Sequence, residues 1–192
     1  KAHRDRKADL GGTISVPPRP NADKPRHLGD ALEVVVREHR ISRGKYVPGG
    51  NGLFIPGRSR NASINMWDHW KKHWMEFPEF AGPVEYVDNA IDIGSHSSGS
   101  GTTRVIDGLN KAGQRERVVW DRNPGPNGDR NDYAIVTLSS DGTVDKVVTY
   151  HRLSRAWLES PPRNLRDRPG SDVFQQWFET RGPQGWTDVH ER

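Results

Sequence analysis

Near Gly101 the apolar residues of this 192-residue chain change their spacing. Before that point they recur three or four positions apart, the period of one helix face. After it they alternate, the period of a strand. "TTRVID", "RERVVWD", "YAIVTLS" and "KVVTYHR" are four strand candidates rich in β-branched and aromatic residues. "SSDGT", with Asp-Gly at its centre, joins the last two as a hairpin. Helices followed by a meander predict an α+β fold: N-terminal helices packed on a four-stranded antiparallel sheet. One extra C-terminal helix is expected in "SDVFQQWFET", docked by Phe174, Trp177 and Phe178.

Three helices are expected before the sheet. The first lies in "GDALEVVVREHRI", with Asp30 as its cap and Leu32, Val35, Val36 and His39 on one side. The second starts near Asn61 or Ser63. Its arc of Ile64, Trp67, Trp70, Trp74 and Phe77 is apolar, with His69, His73 and Glu76 just outside it. Pro78 ends it by pushing Phe77 out of the α region. The third runs from Pro83 to Gly94 and buries Val84, Val87 and Ile91. "GKYVPGGNGLFIPGRSR" and "RNPGPNGDRND" read as loops and "SHSSGSG" as a flexible joint. Residues 1–27, polar and proline-rich, are expected to form a linker or extended arm. Residues 28–153 form the domain, with its core in 61–153, and residues 154–192 a C-terminal extension.

Composition removes several chemistries. The chain has no cysteine, so disulfides, thiolate zinc sites, cysteine nucleophiles and the zinc-deaminase signature are excluded. There is no phosphate-binding loop, no GxSxG and no dinucleotide fingerprint. No segment approaches a membrane span, and no signal peptide is visible. A formal net charge of +4 suits a polyanionic partner without demanding one.

The residues left for chemistry are imidazoles, a hydroxyl and arginines. Thr149 and His151, two apart on the last strand, share a face; Tyr150 and Arg152 share the other. If the aromatic helix packs beside this strand, His73 approaches both. Two imidazoles, a hydroxyl and a cation are what metal-free RNA cleavage uses. A base takes the 2′-hydroxyl proton, a cation steadies the phosphorane, and an acid protonates the leaving 5′-oxygen. His69, His73 and Glu76 at i, i+4 and i+7 would also make a metal face. Their order is not that of the HExxH peptidases and no further ligand is evident, so no metal and no cofactor are expected. Arg104, Arg115, Arg117, Arg122 and Arg130 would hold a phosphate backbone if they cluster on one side of the sheet, and otherwise form a solvated face.

"KKHWMEFPEF", "PVEYVDNA", "TTRVI", "RVVWD" and "DYAIVTLSSDGTVDKVVTYHRL" together resemble the C-terminal toxin domains of bacterial polymorphic toxins. More narrowly, they are similar to nucleases of the barnase–EndoU–colicin–RelE-like fold. The matching positions, within residues 61–153, are Lys72-His73, Tyr86, Ala90, Tyr133 to Val136, Asp141-Gly142 and Thr149-Tyr150. The resemblance implies a metal-independent ribonuclease, often acting on transfer RNA and neutralised by a cognate immunity protein. It implies a protein secreted or injected by its producer and acting in the cytoplasm of a target cell. Carried onto this chain, it points to His73, Arg104, Thr149 and His151 as catalytic, with Arg122, Tyr150 and His69 contacting substrate. Where the family often has an aromatic, this chain has His151. Two other expectations stand beside this one: a toxin transferring ADP-ribose from NAD, and a non-catalytic nucleic-acid or protein-binding module. The ribonuclease expectation requires His73 and Thr149 to face a common crevice.

Overall fold

The computed structural model describes residues 25–122, 131–153, 178 and 182–192. Among these residues three α-helices precede the strands: α1 (Pro25–Ser42), α2 (Ala62–His73) and α3 (Pro83–Gly94). A 3-10 turn, Trp74–Glu76, prolongs α2. The strands are β1 (Thr103–Leu109), β2 (Arg115–Asp121), β3 (Asn131–Leu138), β4 (Val144–Leu153) and β5 (Thr187–Glu191). They form one antiparallel sheet in the order β4-β3-β2-β1-β5.

The α+β expectation therefore stands, with the strand count corrected. The sheet has five strands, because residues 187–191 of the expected extension pair with β1. "TDVHE" carries no alternating apolar pattern and all five residues are exposed, so no buried side-chain face marks it as a strand. The expected helix over 171–180 lies outside the described residues except for Phe178, and so does most of the expected arm. Its last residues, 25–27, belong to α1.

Local chemistry sets the helix limits. Asn61 caps α2: its side-chain oxygen accepts a hydrogen bond from the Ile64 amide at 2.9 Å. Phe77, before Pro78, leaves the helical region at φ −121°, ψ 66°. Asp30 is not a cap. It lies inside α1, where its carboxylate is 3.9 Å from Arg26. Gly94 ends α3 hard against the sheet, where a β-carbon would overlap the Val136 methyls.

The main core fills the space between the helices and one sheet face. Trp67, Trp70, Trp74 and Phe77 meet Tyr86, Val87 and Ile91 of α3, and Val105, Val119, Ala134, Val136 and Tyr150 of the sheet. Leu53 and Phe54, in a stretch that reads as loop, plug the same core. The outer sheet face carries a smaller cluster of Ile106, Val118, Trp120, Tyr133 and Ile135, flanked by Phe178 and Trp186.

Strand β4 is an edge strand whose pairing slips twice, between Leu138 and Thr137 and between Val136 and Ile135 of its partner. The two bulges put Val144, Val147 and Tyr150 inward at every third position. Its free edge is covered. The Val147 amide donates to the Leu53 carbonyl (2.8 Å), the Ile55 amide to the Val147 carbonyl (2.9 Å), and the Tyr86 hydroxyl to the Tyr150 carbonyl (2.7 Å). The Arg152 amide donates to Glu76 Oε1 at 2.9 Å.

A buried cation fastens α1 to α3. Arg40, 2% exposed, donates to Asp88, to Asp92 at 2.9 Å and to the Tyr46 carbonyl at 2.6 Å. Lys45 reaches the same two carboxylates at 3.2 and 2.7 Å. Arg40→Met leaves Asp88 short of its buried partner and is expected to lower the unfolding free energy in urea by about 3 kcal/mol. Adding Asp88→Asn should recover part of that loss.

Candidate active site

The end of α2 and the end of β4 bring three imidazoles together. His69 and His73 are one turn apart on α2, and His151 comes from β4. The ring centres of His73 and His151 are 3.8 Å apart; His69 lies 6.0 Å from His73 and 6.5 Å from His151. Glu76, in the turn that prolongs α2, places Oε2 at 2.5 Å from His73 Nδ1.

Two hydrogen bonds fix the tautomers. A carboxylate only accepts, so His73 Nδ1 carries a proton, and in the neutral ring Nε2 holds the lone pair. His69 Nδ1 is 3.0 Å from the Asn65 carbonyl, and the same reasoning makes Nε2 the acceptor of its neutral ring. His73 is 5% exposed, and among the described residues its buried Nε2 has no hydrogen-bond partner. A buried acceptor left open costs free energy, which makes it a candidate for a ligand atom.

Burial is the main electrostatic influence. It pushes the His151 imidazolium down to about 3, helped by charge on His73, His69 and Lys72. His69 is lowered chiefly by burial too, against the opposing pull of the Asn65 carbonyl. His151 is therefore neutral at physiological pH. Its ring stacks on Tyr133, centres 5.1 Å apart and planes 24° apart, and among the described residues its nitrogens make no hydrogen bond.

The expected site residues separate into those brought together and those kept apart. Thr149 shares the outer sheet face with His151, and its Oγ1 is buried without a partner. Tyr150 faces the opposite way and is fully buried between Phe77 and Tyr86, its hydroxyl bonded to Asn89 and to Asp132 (3.0 Å). That placement gives it no surface for a substrate. Arg104 lies in the same cross-sheet row as His151, through Trp120 and Tyr133. Three strand spacings put it about 14 Å away, and it is bonded to both oxygens of Glu191 at 2.8 and 3.0 Å. Arg122 is exposed at the end of β2. Arg117 is buried with Asp107 at 2.6 and 2.9 Å, so the arginines do not form one phosphate-holding cluster; Arg130 lies outside the described residues.

Glu76 is the contributor that composition and period understate. The His-x-x-Glu spacing was visible, but its partner on β4 was not. Lys72, exposed beside His73, is close enough to act on both other histidines.

No protein-family profile, no curated protein and no solved structure matches this chain.

The lowered His151 sets a pH dependence. An unfolded histidine binds its proton near pH 6.5, whereas the folded ring does not until about pH 3. The folded state is favoured fully above 6.5 and loses ground as pH falls from there, by at most about 1.4 kcal/mol per pH unit from this residue. Urea denaturation between pH 7 and 4 should show that decline, and His151→Asn should flatten it.

Proposed function

We propose that this chain is a ribonuclease domain of the bacterial toxin type, cleaving RNA by attack of a 2′-hydroxyl on the adjacent phosphate. The observation that carries the reading is the His73–His151 pair, 3.8 Å apart, with Glu76 behind His73. A carboxylate, an oriented imidazole and a second imidazole on another element fit proton transfer better than packing alone, because packing leaves His73 Nε2 without a partner.

In this mechanism His73 Nε2 takes the 2′-hydroxyl proton, and Glu76 balances the imidazolium that forms. Thr149 Oγ1 and the Lys72 ammonium steady charge on the phosphorane. His151, neutral, gives a hydrogen bond to a phosphate oxygen and so acts as a substrate contact. His73 then returns that proton to the leaving 5′-oxygen, one imidazole serving as base and then as acid. Products end in a 2′,3′-cyclic phosphate. Because His73 is nearly closed to solvent, the His151 ring must swing aside as RNA enters; stacking is what holds it. A transfer RNA substrate, a cognate immunity protein and delivery into a target cell belong to the same reading and rest on the family resemblance.

Incubation with total RNA separates the alternatives. Discrete fragments with cyclic phosphate ends support the proposal. Shifted but intact RNA indicates a binding module, and intact RNA with a mass increase on a target protein indicates ADP-ribosyl transfer. His73→Ala should reduce cleavage by about 10²- to 10⁴-fold and relieve growth inhibition while the far-ultraviolet spectrum stays native. Equal toxicity of a folded His73→Ala protein would remove the proposed base. Thr149→Val is the sharper test. Removing a buried, unpartnered hydroxyl should leave stability unchanged or slightly higher, yet slow cleavage by about tenfold or more if that oxygen meets the phosphate.

A further inference from the structure

We propose that His69, His73 and His151 form a binding site for a divalent transition metal such as Zn²⁺, with Glu76 as the outer partner that orients His73. The sequence offers only the α2 half of this set. The fold adds the donor from β4.

Three observations support it independently. First, both helix histidines have Nδ1 bonded to acceptor-only groups, the Asn65 carbonyl and the Glu76 carboxylate. Metal-ligating histidines are held this way, with the second ring nitrogen free for the ion. Second, His73 Nε2 is buried and has no hydrogen-bond partner, the state of a donor atom awaiting a ligand. Third, His73 and His151 each offer a donor atom within 4.8 Å of the other and of a Glu76 oxygen; His69 is not in that group and would join it only by moving inward.

The spacing is near that of a loaded site. At a zinc–nitrogen distance of about 2.0–2.1 Å, the centres of two imidazoles on one tetrahedral ion lie about 5 Å apart. The ring centres here are separated by 3.8, 6.0 and 6.5 Å. Loading thus requires the His73–His151 pair to open by about 1 Å and His69 to move inward by a similar amount. Two rings tilted by 45° on a helix end and a strand end can make that adjustment by side-chain rotation. Lys72 opposes a cation, but its side chain is exposed and screened, whereas the Glu76 carboxylate is joined directly to a ligand ring. Three imidazoles suit Zn²⁺, Cu²⁺ or Ni²⁺ and not Mg²⁺, which prefers oxygen ligands.

The ion would occupy the His73 lone pair that RNA cleavage uses, so it would act as a reversible block. That second part rests on the ribonuclease reading; metal binding itself does not.

The test is calorimetric titration of the full chain with Zn²⁺, repeated with Mg²⁺, alongside the visible absorption of the Co²⁺-loaded protein. Expected are one Zn²⁺ per chain, a tetrahedral Co²⁺ spectrum and no heat from Mg²⁺. His73→Gln and His151→Gln should each weaken Zn²⁺ binding at least 100-fold. Glu76→Gln should weaken it 10- to 100-fold, and His190→Gln, at an exposed surface ring, not at all. Circular dichroism reports whether each variant is folded, and if His73→Gln is not, His69→Gln and His151→Gln decide. Zinc affinity unchanged in the folded variants, or no saturable binding by the parent chain, overturns the site. If binding holds and Zn²⁺ fails to suppress an observed RNA cleavage, the block is wrong and the site stands. If no RNA is cleaved at all, the ribonuclease reading fails while the binding data still decide the metal.

Discussion

One carboxylate joins the two halves of this molecule at the point where its chemistry gathers. Glu76 accepts the outward-facing Arg152 amide through one oxygen and meets His73 through the other. Charge-assisted hydrogen bonds of this kind contribute about 1.5–3 kcal/mol each. Their larger effect is geometric: the last turn of the helical segment cannot shift along β4 without breaking both. Arg152 strengthens the joint from its own side. Its guanidinium lies over Phe77 at 4.5 Å and donates to Glu79 and Asp132. The imidazole cluster is thus held by groups that are not themselves part of it.

The sheet divides its labour by face. Tyr150 and Arg152 point inward with Asp132, whose pKa is raised by burial against the pull of Arg152. This polar set is closed by Asn89 and Tyr150 and sits within the aromatic core of Phe77 and Tyr86. Thr149 and His151, one residue to either side of Tyr150, point outward beside Tyr133. A rigid inner face fixes the backbone, and the alternate residues inherit that rigidity. The helix packs partly around the strand edge, which lets a residue on α2 meet residues on the sheet's far face.

Much of this was legible in the residues. The change of period, the cap at Asn61, the stop at Pro78, the start at Pro83 and the Asp-Gly turn are local effects, and local effects are written in short stretches. So was the shared face of Thr149 and His151, since both bulges of β4 precede them. What stayed hidden depends on distant partners. Nothing near Arg40 in the sequence signals its burial, because its two carboxylates belong to another helix. Leu53 and Phe54 sat in a glycine-rich stretch whose pairing with Val147 no local pattern announces. β5 has a single apolar residue, Val189, which is exposed, so no apolar pattern marks it as the strand that lies on the open edge of β1. The approach of His73 to His151 needed the angle between helix and strand edge, which spacing along a chain does not encode.

That open edge also dictates an order of assembly. β1 through β4 follow one another, so each pairing closes a short stretch of chain and can form early. β5 must return from far along the sequence, and its Ile106–Glu191 pairing closes a long excursion at a high entropic cost. The meander should therefore form first and wait with one flank of β1 uncovered. During that interval the uncovered flank is the place where a second chain, or a chaperone, would most readily attach.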